Sequence, residues 1–357
     1  MCGSRLVAPS RLPRERASVA DAADGIGNTR VVSTRRTKVS VIGAGHVGAA
    51  VANALVLLRE CDCVAIYDRN LARAEGEAWD VADAVPLLSE MEVAPTDDYE
   101  DLRDSAVVVI TVGATNPPGH SRLELLSANA NIVVAVMGAL DRVCPDAVVI
   151  VASNPVDVLT RIAIEASTRP PNLILGCGTV LDGARLRHEL GKLLDVEQES
   201  VHAYVVGEHG DSSFPVWSSA SVGAVPLADC ELPEGLSLSQ IQDDLVAAIR
   251  RRGRVIHERR GFTAWGVAAA IARLVRAVIH DEKRIFMVSV QAAAEYGIGS
   301  VVLSLPCVVG SAGIARQLPL RMSDSEQVLL QQSAAVLDAA HRSLDVGGAA
   351  PGAAAGA

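Results

Sequence analysis

Val39-Ser-Val-Ile-Gly43-Ala-Gly45-His46-Val47-Gly48 is the stretch whose reading decides the fold. An apolar run makes a short strand, the glycines make a tight turn, and the apolar residues that follow wind into a helix. Gly43 supplies the turn, Gly45 lets backbone approach a pyrophosphate, and Gly48 lets the helix pack closely on the strand. The amide N–H groups of the first helical turn then face an anion. The pattern predicts a dinucleotide site at Gly43, Gly45, His46, Val47 and Gly48. Asp68 ends the next apolar run, 64–67, about 20 residues further on, where a carboxylate accepts hydrogen bonds from ribose hydroxyls and repels a 2′-phosphate. The expected cofactor is NAD rather than NADP, with Arg69 working against that repulsion.

Residues 39–58 are almost uninterruptedly apolar and follow Arg35 and Arg36, as an export signal would. The glycines divide the stretch into strand, turn and helix, which is poor material for a single spanning helix, so no membrane partner is expected.

Outward from this unit, the apolar runs 39–42, 64–67, 107–112 and 148–151 are each followed by a helical pattern. That alternation is βαβ grammar and implies a parallel sheet. Beyond Asp182 the helical stretches lengthen (239–260, 264–279, 325–344), with strand-like segments at 201–206, 285–290 and 301–305. The expected fold is α/β: an N-terminal Rossmann doubly wound parallel sheet over 37–180, then a mixed α+β catalytic domain over 181–346, the two sharing one extended core. Residues 1–36 read as a mobile extension, and 347–357, all Gly, Ala and Pro, as a disordered tail.

Half of the 357 residues are hydrophobic but only 3% are aromatic, so Val, Ala, Leu and Ile must fill the interior. A formal net charge of -10 gives no basic field for nucleic acid. An anionic substrate must therefore be held by a few local arginines. The cysteines (Cys2, Cys61, Cys63, Cys144, Cys177, Cys230, Cys307) are odd in number and scattered, which suits a reducing, cytoplasmic setting. Cys61 and Cys63 would share a strand face, but no neighbouring pair completes a metal site, and none is expected.

Three further segments belong together: Ala114-Thr-Asn116-Pro-Pro-Gly-His-Ser-Arg122, Leu181-Asp182-Gly-Ala-Arg185 and Gly207-Glu-His209-Gly-Asp-Ser. With the glycine turn, Ser153-Asn154-Pro155, Gly-Phe-Thr263-Ala-Trp and Leu305-Pro-Cys-Val-Val-Gly310, they resemble the L-lactate and malate dehydrogenase family, in its bacterial lactate pattern, over nearly all of 37–344. Reduction of a 2-oxo acid needs a hydride donor, a proton donor with a pKa of roughly 7, a cation for the carboxylate and a group polarising the ketone. The resemblance implies one residue for each protein task. His209 is the acid/base, and Asp182 accepts its other ring N–H. Arg185 grips the carboxylate with its planar fork, the alternative from the residues alone being a plain (i, i+3) ion pair with Asp182. Arg122, at the end of a Pro- and Gly-rich loop, closes over substrate and polarises the carbonyl. Asn154 and Asn129 are implied cofactor contacts, Asn154 touching substrate as well.

In the family, the residue six before the loop arginine reads the substrate's side chain, glutamine in lactate enzymes and arginine in malate enzymes. Here it is Asn116. An unpaired second carboxylate in a closed site is costly, so the missing arginine argues against oxaloacetate, although His120 could supply part of a charge. Thr263 matches the lactate-type pocket, and Val267 one turn on presents an apolar wall. The resemblance thus implies an NAD-dependent L-2-hydroxyacid dehydrogenase, pyruvate being the first-choice substrate. L-2-hydroxyisocaproate-type and malate dehydrogenases, a metal-requiring NAD-dependent glycosidase and a catalytically retired NAD-binding protein are the other readings. Arg187 and His202 match positions that bind fructose bisphosphate across a subunit interface in bacterial relatives, so an effector and a homo-oligomer, tetramer or dimer, are expected partners beside the small 2-oxo or 2-hydroxy acid.

Overall fold

The computed structural model describes residues 36–88, 90–114 and 122–344, with Arg122 described by its backbone alone. Asn116 and His120, and the end segments but for Arg36, lie outside the described residues. The first half runs β1 (Lys38–Ile42), α1 (His46–Leu58), β2 (Cys63–Tyr67), α2 (Leu71–Ala82), α3 (Val85–Leu88), β3 (Glu92–Thr96), β4 (Val107–Ile110), α4 (Arg122–Val143), β5 (Val148–Val151), α5 (Val156–Glu165) and β6 (Ile174–Gly176). These six strands are parallel in the order β3-β2-β1-β4-β5-β6. Helices cover both faces, which is why β4 and β5 read as unbroken Val and Ile runs, each residue at most 1% exposed. The order reverses between β1 and β4, and ligands of such sheets bind in the crevice at that point, beyond the strands' carboxyl ends.

The second half runs α6 (Val180–Leu193), β7 (Val201–His202), β8 (Val205–Val206), β9 (Phe214–Pro215), β10 (Ser221–Val222), β11 (Val225–Pro226), α7 (Leu238–Arg260), α8 (Trp265–Ile279), β12 (Arg284–Gln291), β13 (Val302–Gly310), β14 (Gly313–Gln317) and α9 (Asp324–Arg342). Strand β12 joins β6 antiparallel through the pair Ser289↔Gly176, so β12, β13 and β14 continue the same sheet to nine strands. A Cβ on Gly176 would lie 2.4 Å from the Thr160 hydroxyl and 2.8 Å from the Ser289 Cβ. Only glycine lets β6, α5 and β12 meet there. One apolar cluster runs from Val39 to Leu337 through both halves, and a smaller one around Leu186, Leu190, Val205, Ile241 and Ile249 fastens α6 to α7.

Residues 123–143 of α4 are long and apolar enough to cross a membrane by composition. The helix instead puts Ala130, Val133, Met137 and Leu140 into the core. The strand expected at 107–112 stops at Ile110, and the Thr111 hydroxyl turns back to donate to the carbonyls of Ile42 and Gly43 at 3.0 and 2.9 Å. The segment expected at 201–206 is two short strands in different sheets, because β7 pairs with β10 and β8 with β9.

Candidate active site

At the dinucleotide end, Gly43 has φ +105° and donates its N–H to the Tyr67 carbonyl at 2.7 Å, which bends the chain off β1. A Cβ on Gly48 would stand 1.9 Å from the Gly43 carbonyl oxygen, whereas one on Gly45 would meet nothing within 4 Å. The third glycine thus brings helix and turn together, and the second leaves space over the turn. Gly45 caps α1 without a side chain, so no side-chain acceptor covers the first N–H groups of the helix. Asp68 takes the Ala44 N–H on Oδ2 and the Asn70 N–H on Oδ1, both at 3.0 Å, which braces the carboxylate and leaves lone pairs for hydroxyl donors. An open anion cradle beside a braced carboxylate fits a dinucleotide.

Two other residues expected at this end do something additional. Asn129 accepts the Ala114 N–H on Oδ1 at 2.7 Å and donates Nδ2 to the Asn154 carbonyl at 3.1 Å. Its amide ties together the loops that leave β4 and β5. The His46 ring stacks on Phe262, centroids 3.9 Å apart and planes 14° from parallel, joining the glycine turn to the α7–α8 connection.

At the other end, the loop from β8 to β9 carries His209. Its backbone is anchored by Gly207, which exchanges hydrogen bonds with Ser304 of β13, and by Glu208, whose N–H donates to the Ser333 hydroxyl at 2.7 Å. The ring reaches the first turn of α6, where His209 Nδ1 lies 2.7 Å from Asp182 Oδ2. Arg185, one turn further along α6, donates to Asp182 Oδ1 at 3.2 Å. The pair is thus an (i, i+3) ion pair, and Arg185 also lines the cleft. With Nδ1–H directed at the carboxylate, Nε2 is the nitrogen left for a reactant. Burial pulls the His209 pKa down, but the hydrogen bond and charge of Asp182, with the charge of Asp157, outweigh it, and the pKa ends above the ordinary histidine value. Burial pulls Arg185 below the ordinary arginine value, with Asp182 opposing.

The catalytic end opens into a cleft of about 450 Å³ that reaches Val47 in the first turn of α1 and is lined by Asn154, by Asp182, Arg185 and His209, and by Thr263 and Val267. Its far wall is α7, which presents Ile249, Gly253 and Ile256 together with arginines that already have partners. Arg250 donates to the Ser213 carbonyl at 3.1 Å, Arg252 pairs with Glu189 at 2.7 Å, and Arg260 lies over the Phe262 and Trp265 rings. Arg122 opens α4 by its backbone. Arg187 is partly buried near Tyr204 and Arg284, and His202 is exposed on β7. Sequence reasoning missed Asp157, Ser289, Phe262 and the α7 wall. The one available signal for Asp157 was a carboxylate inside the apolar run Val-Asp-Val-Leu-Thr.

What this cleft can do is set by its ends, one suited to a dinucleotide, the other to a proton and a carboxylate. The class so defined is the NAD-dependent oxidoreductases. Two family models match in succession: "lactate/malate dehydrogenase, NAD binding domain" over residues 37–176 and "lactate/malate dehydrogenase, alpha/beta C-terminal domain" over 179–344. The chain belongs to the lactate/malate dehydrogenase family. An L-lactate dehydrogenase of Nitratidesulfovibrio vulgaris is 39% identical over 301 residues, covering 84% of this chain and 97% of the relative. One from Thermus aquaticus is 40% identical over 310 residues, covering 86% and 99%. A solved lactate dehydrogenase from a Medee basin deep-sea metagenome library superposes with a TM-score of 0.83 at 33% identity, covering 87% of this chain and 99% of that one.

Proposed function

We propose that the protein is an L-lactate dehydrogenase, reducing pyruvate to L-lactate with NADH and running in reverse when lactate and NAD are in excess. The observation that carries this reading is the His209–Asp182–Arg185 cluster, its imidazole 2.7 Å from the carboxylate, in a cleft that reaches Val47 in the helix turn after the glycines. NADH supplies the hydride. His209 gives the Nε2 proton to the ketone oxygen, and Asp182 fixes the tautomer and holds the charged ring until that moment. Arg185 orients the substrate carboxylate with its guanidinium fork. Arg122 polarises the ketone, and Asn116 meets the substrate's side chain. Thr263 and Val267 shape the pocket around the reacting carbon.

A larger 2-oxo acid, 2-oxobutyrate or 2-oxoisocaproate, is the second reading. It is favoured by the open space at Gly253, where a Cβ would meet nothing within 4 Å, between the apolar Ile249 and Ile256. Oxaloacetate is disfavoured, since Asn116 stands where malate enzymes carry an arginine and a second carboxylate would go unpaired. The division at 180/181 into cofactor-binding and catalytic units fits this division of labour. We further propose a cytoplasmic homo-oligomer, a tetramer or a dimer, acting in fermentation after glycolysis. The exposed Leu57, Leu58 and Trp265 give it apolar surface to cover. Arg187, with Arg284 near it, and His202 are the proposed contacts for fructose bisphosphate.

The test follows NADH absorbance with a panel of 2-oxo acids, with and without fructose bisphosphate, for the wild type and His209→Gln. Pyruvate should give the highest kcat/KM, the effector should move its saturation curve to lower pyruvate, and the variant should lose roughly 10²–10⁴-fold in kcat. Full turnover by the variant would sink the mechanism. A higher kcat/KM for a branched 2-oxo acid would transfer the conclusion to the second reading.

A further inference from the structure

Asp157 lies near the start of α5 and points inward with Val156, Val158 and Leu159, 2% exposed. A carboxylate taken this far from water needs donors. It has one on each oxygen: the backbone N–H of His209 at 2.7 Å to Oδ2, and the Ser289 hydroxyl at 2.6 Å to Oδ1. Both come from other parts of the chain, the β8–β9 loop and β12. The proton-transfer scheme above makes no use of this group.

We infer that Asp157 is a positioning residue for proton transfer, fixing the His209 backbone and acting, beside Asp182, as a second anion that favours the charged imidazole. The inference rests on the reading of His209 as the acid/base. Its support is geometric, since a buried charge next to the histidine backbone is poorly screened by water.

The other charged and titratable groups around His209 leave room for this role. From α6 come Asp182, which bonds the ring, and Arg185, which opposes protonation. The Cys177 thiol just before α6 is pushed up to about 12 by burial and is neutral. In the loop itself, Asp211 is exposed, and Glu208 is turned to the Ser212 hydroxyl at 2.5 Å. From α7, Arg250 and Arg252 are held by the Ser213 carbonyl and Glu189. Burial pushes the Asp157 carboxyl up to about 6 against the pull of its donors, so it is charged at neutral pH and loses its charge under acid conditions.

Asp157→Asn keeps an acceptor and the shape but removes the charge. The experiment records kcat/KM for pyruvate reduction against pH, and titrates the His209 ring protons by NMR in the enzyme without substrate, the signal being assigned by its absence in His209→Gln. In Asp157→Asn both the falling limb of the profile and the ring titration should move to lower pH by about one unit, the lower end of what a neighbouring opposite charge does. Ser289→Ala, which removes one donor and so raises the carboxyl's hold on its proton, should move them the same way by less, and carries the test if the first variant does not fold. An unmoved ring titration in folded Asp157→Asn, or in Ser289→Ala where only that variant folds, overturns the inference whatever happens to kcat. If His209→Gln turns over normally, it is the reading of His209 that fails, and the ring titration still decides whether Asp157 acts on that ring.

Discussion

Asp182 serves a different partner on each oxygen: His209 on one, Arg185 on the other. Removing its charge with Asp182→Asn leaves the imidazole with burial as the largest influence, and burial lowers its pKa. Pyruvate reduction needs the protonated ring, so activity falls as pH rises through the native pKa, and in the variant that fall should come at lower pH. The profile of kcat/KM against pH checks this; an unmoved limb would mean the carboxylate does not govern the proton. The same shift bears on stability. Because the native pKa is raised, His209 contributes stability fully present below its unfolded value near 6.5 and lost as pH rises through the raised native one. At this scale the sequence was legible wherever a residue's partner was near in the chain or in a known motif. Asp182 and Arg185 share one helical face by spacing alone. Asp157 was not legible, because its buried state depends on Ser289, far along the chain, arriving beside it.

Helix α9 shows how an element can be fixed at one end and put to further use. Ser323 and Glu326 form a capping box, the Ser323 N–H reaching the Glu326 carboxylate at 2.8 Å. That carboxylate, 6% exposed, also accepts the Ser218 N–H at 2.9 Å and its hydroxyl, pinning the segment after β9. Burial pushes Glu326 up, but these donors outweigh it and its pKa falls below the ordinary value, so it contributes stability above its unfolded pKa that is lost as pH falls. Ser323→Ala should cost about 1 kcal/mol. Glu326→Gln should cost roughly 2 kcal/mol and flatten the acid side of the stability curve. Urea midpoints at constant m check both, and equal costs would show the link to Ser218 contributes nothing. The long helices and the Val-rich central strands were readable from periodicity. Strand β3 was not: Glu-Val-Ala-Pro-Thr carries a proline and little apolar density, which an edge position tolerates. Strand β13 runs past the expected 301–305 through Pro306, because β12 pairs with it in continuous register to Val309 and β14 joins from Cys307 with a register shift between Val308 and Val309.

For the molecule as a whole, the continuous sheet and shared apolar cluster predict that the cofactor-binding and catalytic halves unfold together. Trp79 on α2 reports the first half and Trp217, packed on the smaller cluster, the second. Variants retaining Trp79 alone or Trp217 alone, with Trp265 also replaced, should show the same denaturant midpoint, and NADH at a hundred times its Kd should stabilise both by about 2.7 kcal/mol. Separate midpoints, or a response confined to Trp79, would mean that the halves are thermodynamically independent. Within the sheet the two halves are joined by a single registered pair of residues where glycine is obligatory, and one member of that pair also steadies the buried carboxylate behind the histidine. Anyone grafting this catalytic half onto a relative's cofactor half would be transplanting a suture as well as a pocket. Gly176, Ser289 and Asp157 must travel as a set, or the hybrid will lose the brace behind the His209 backbone.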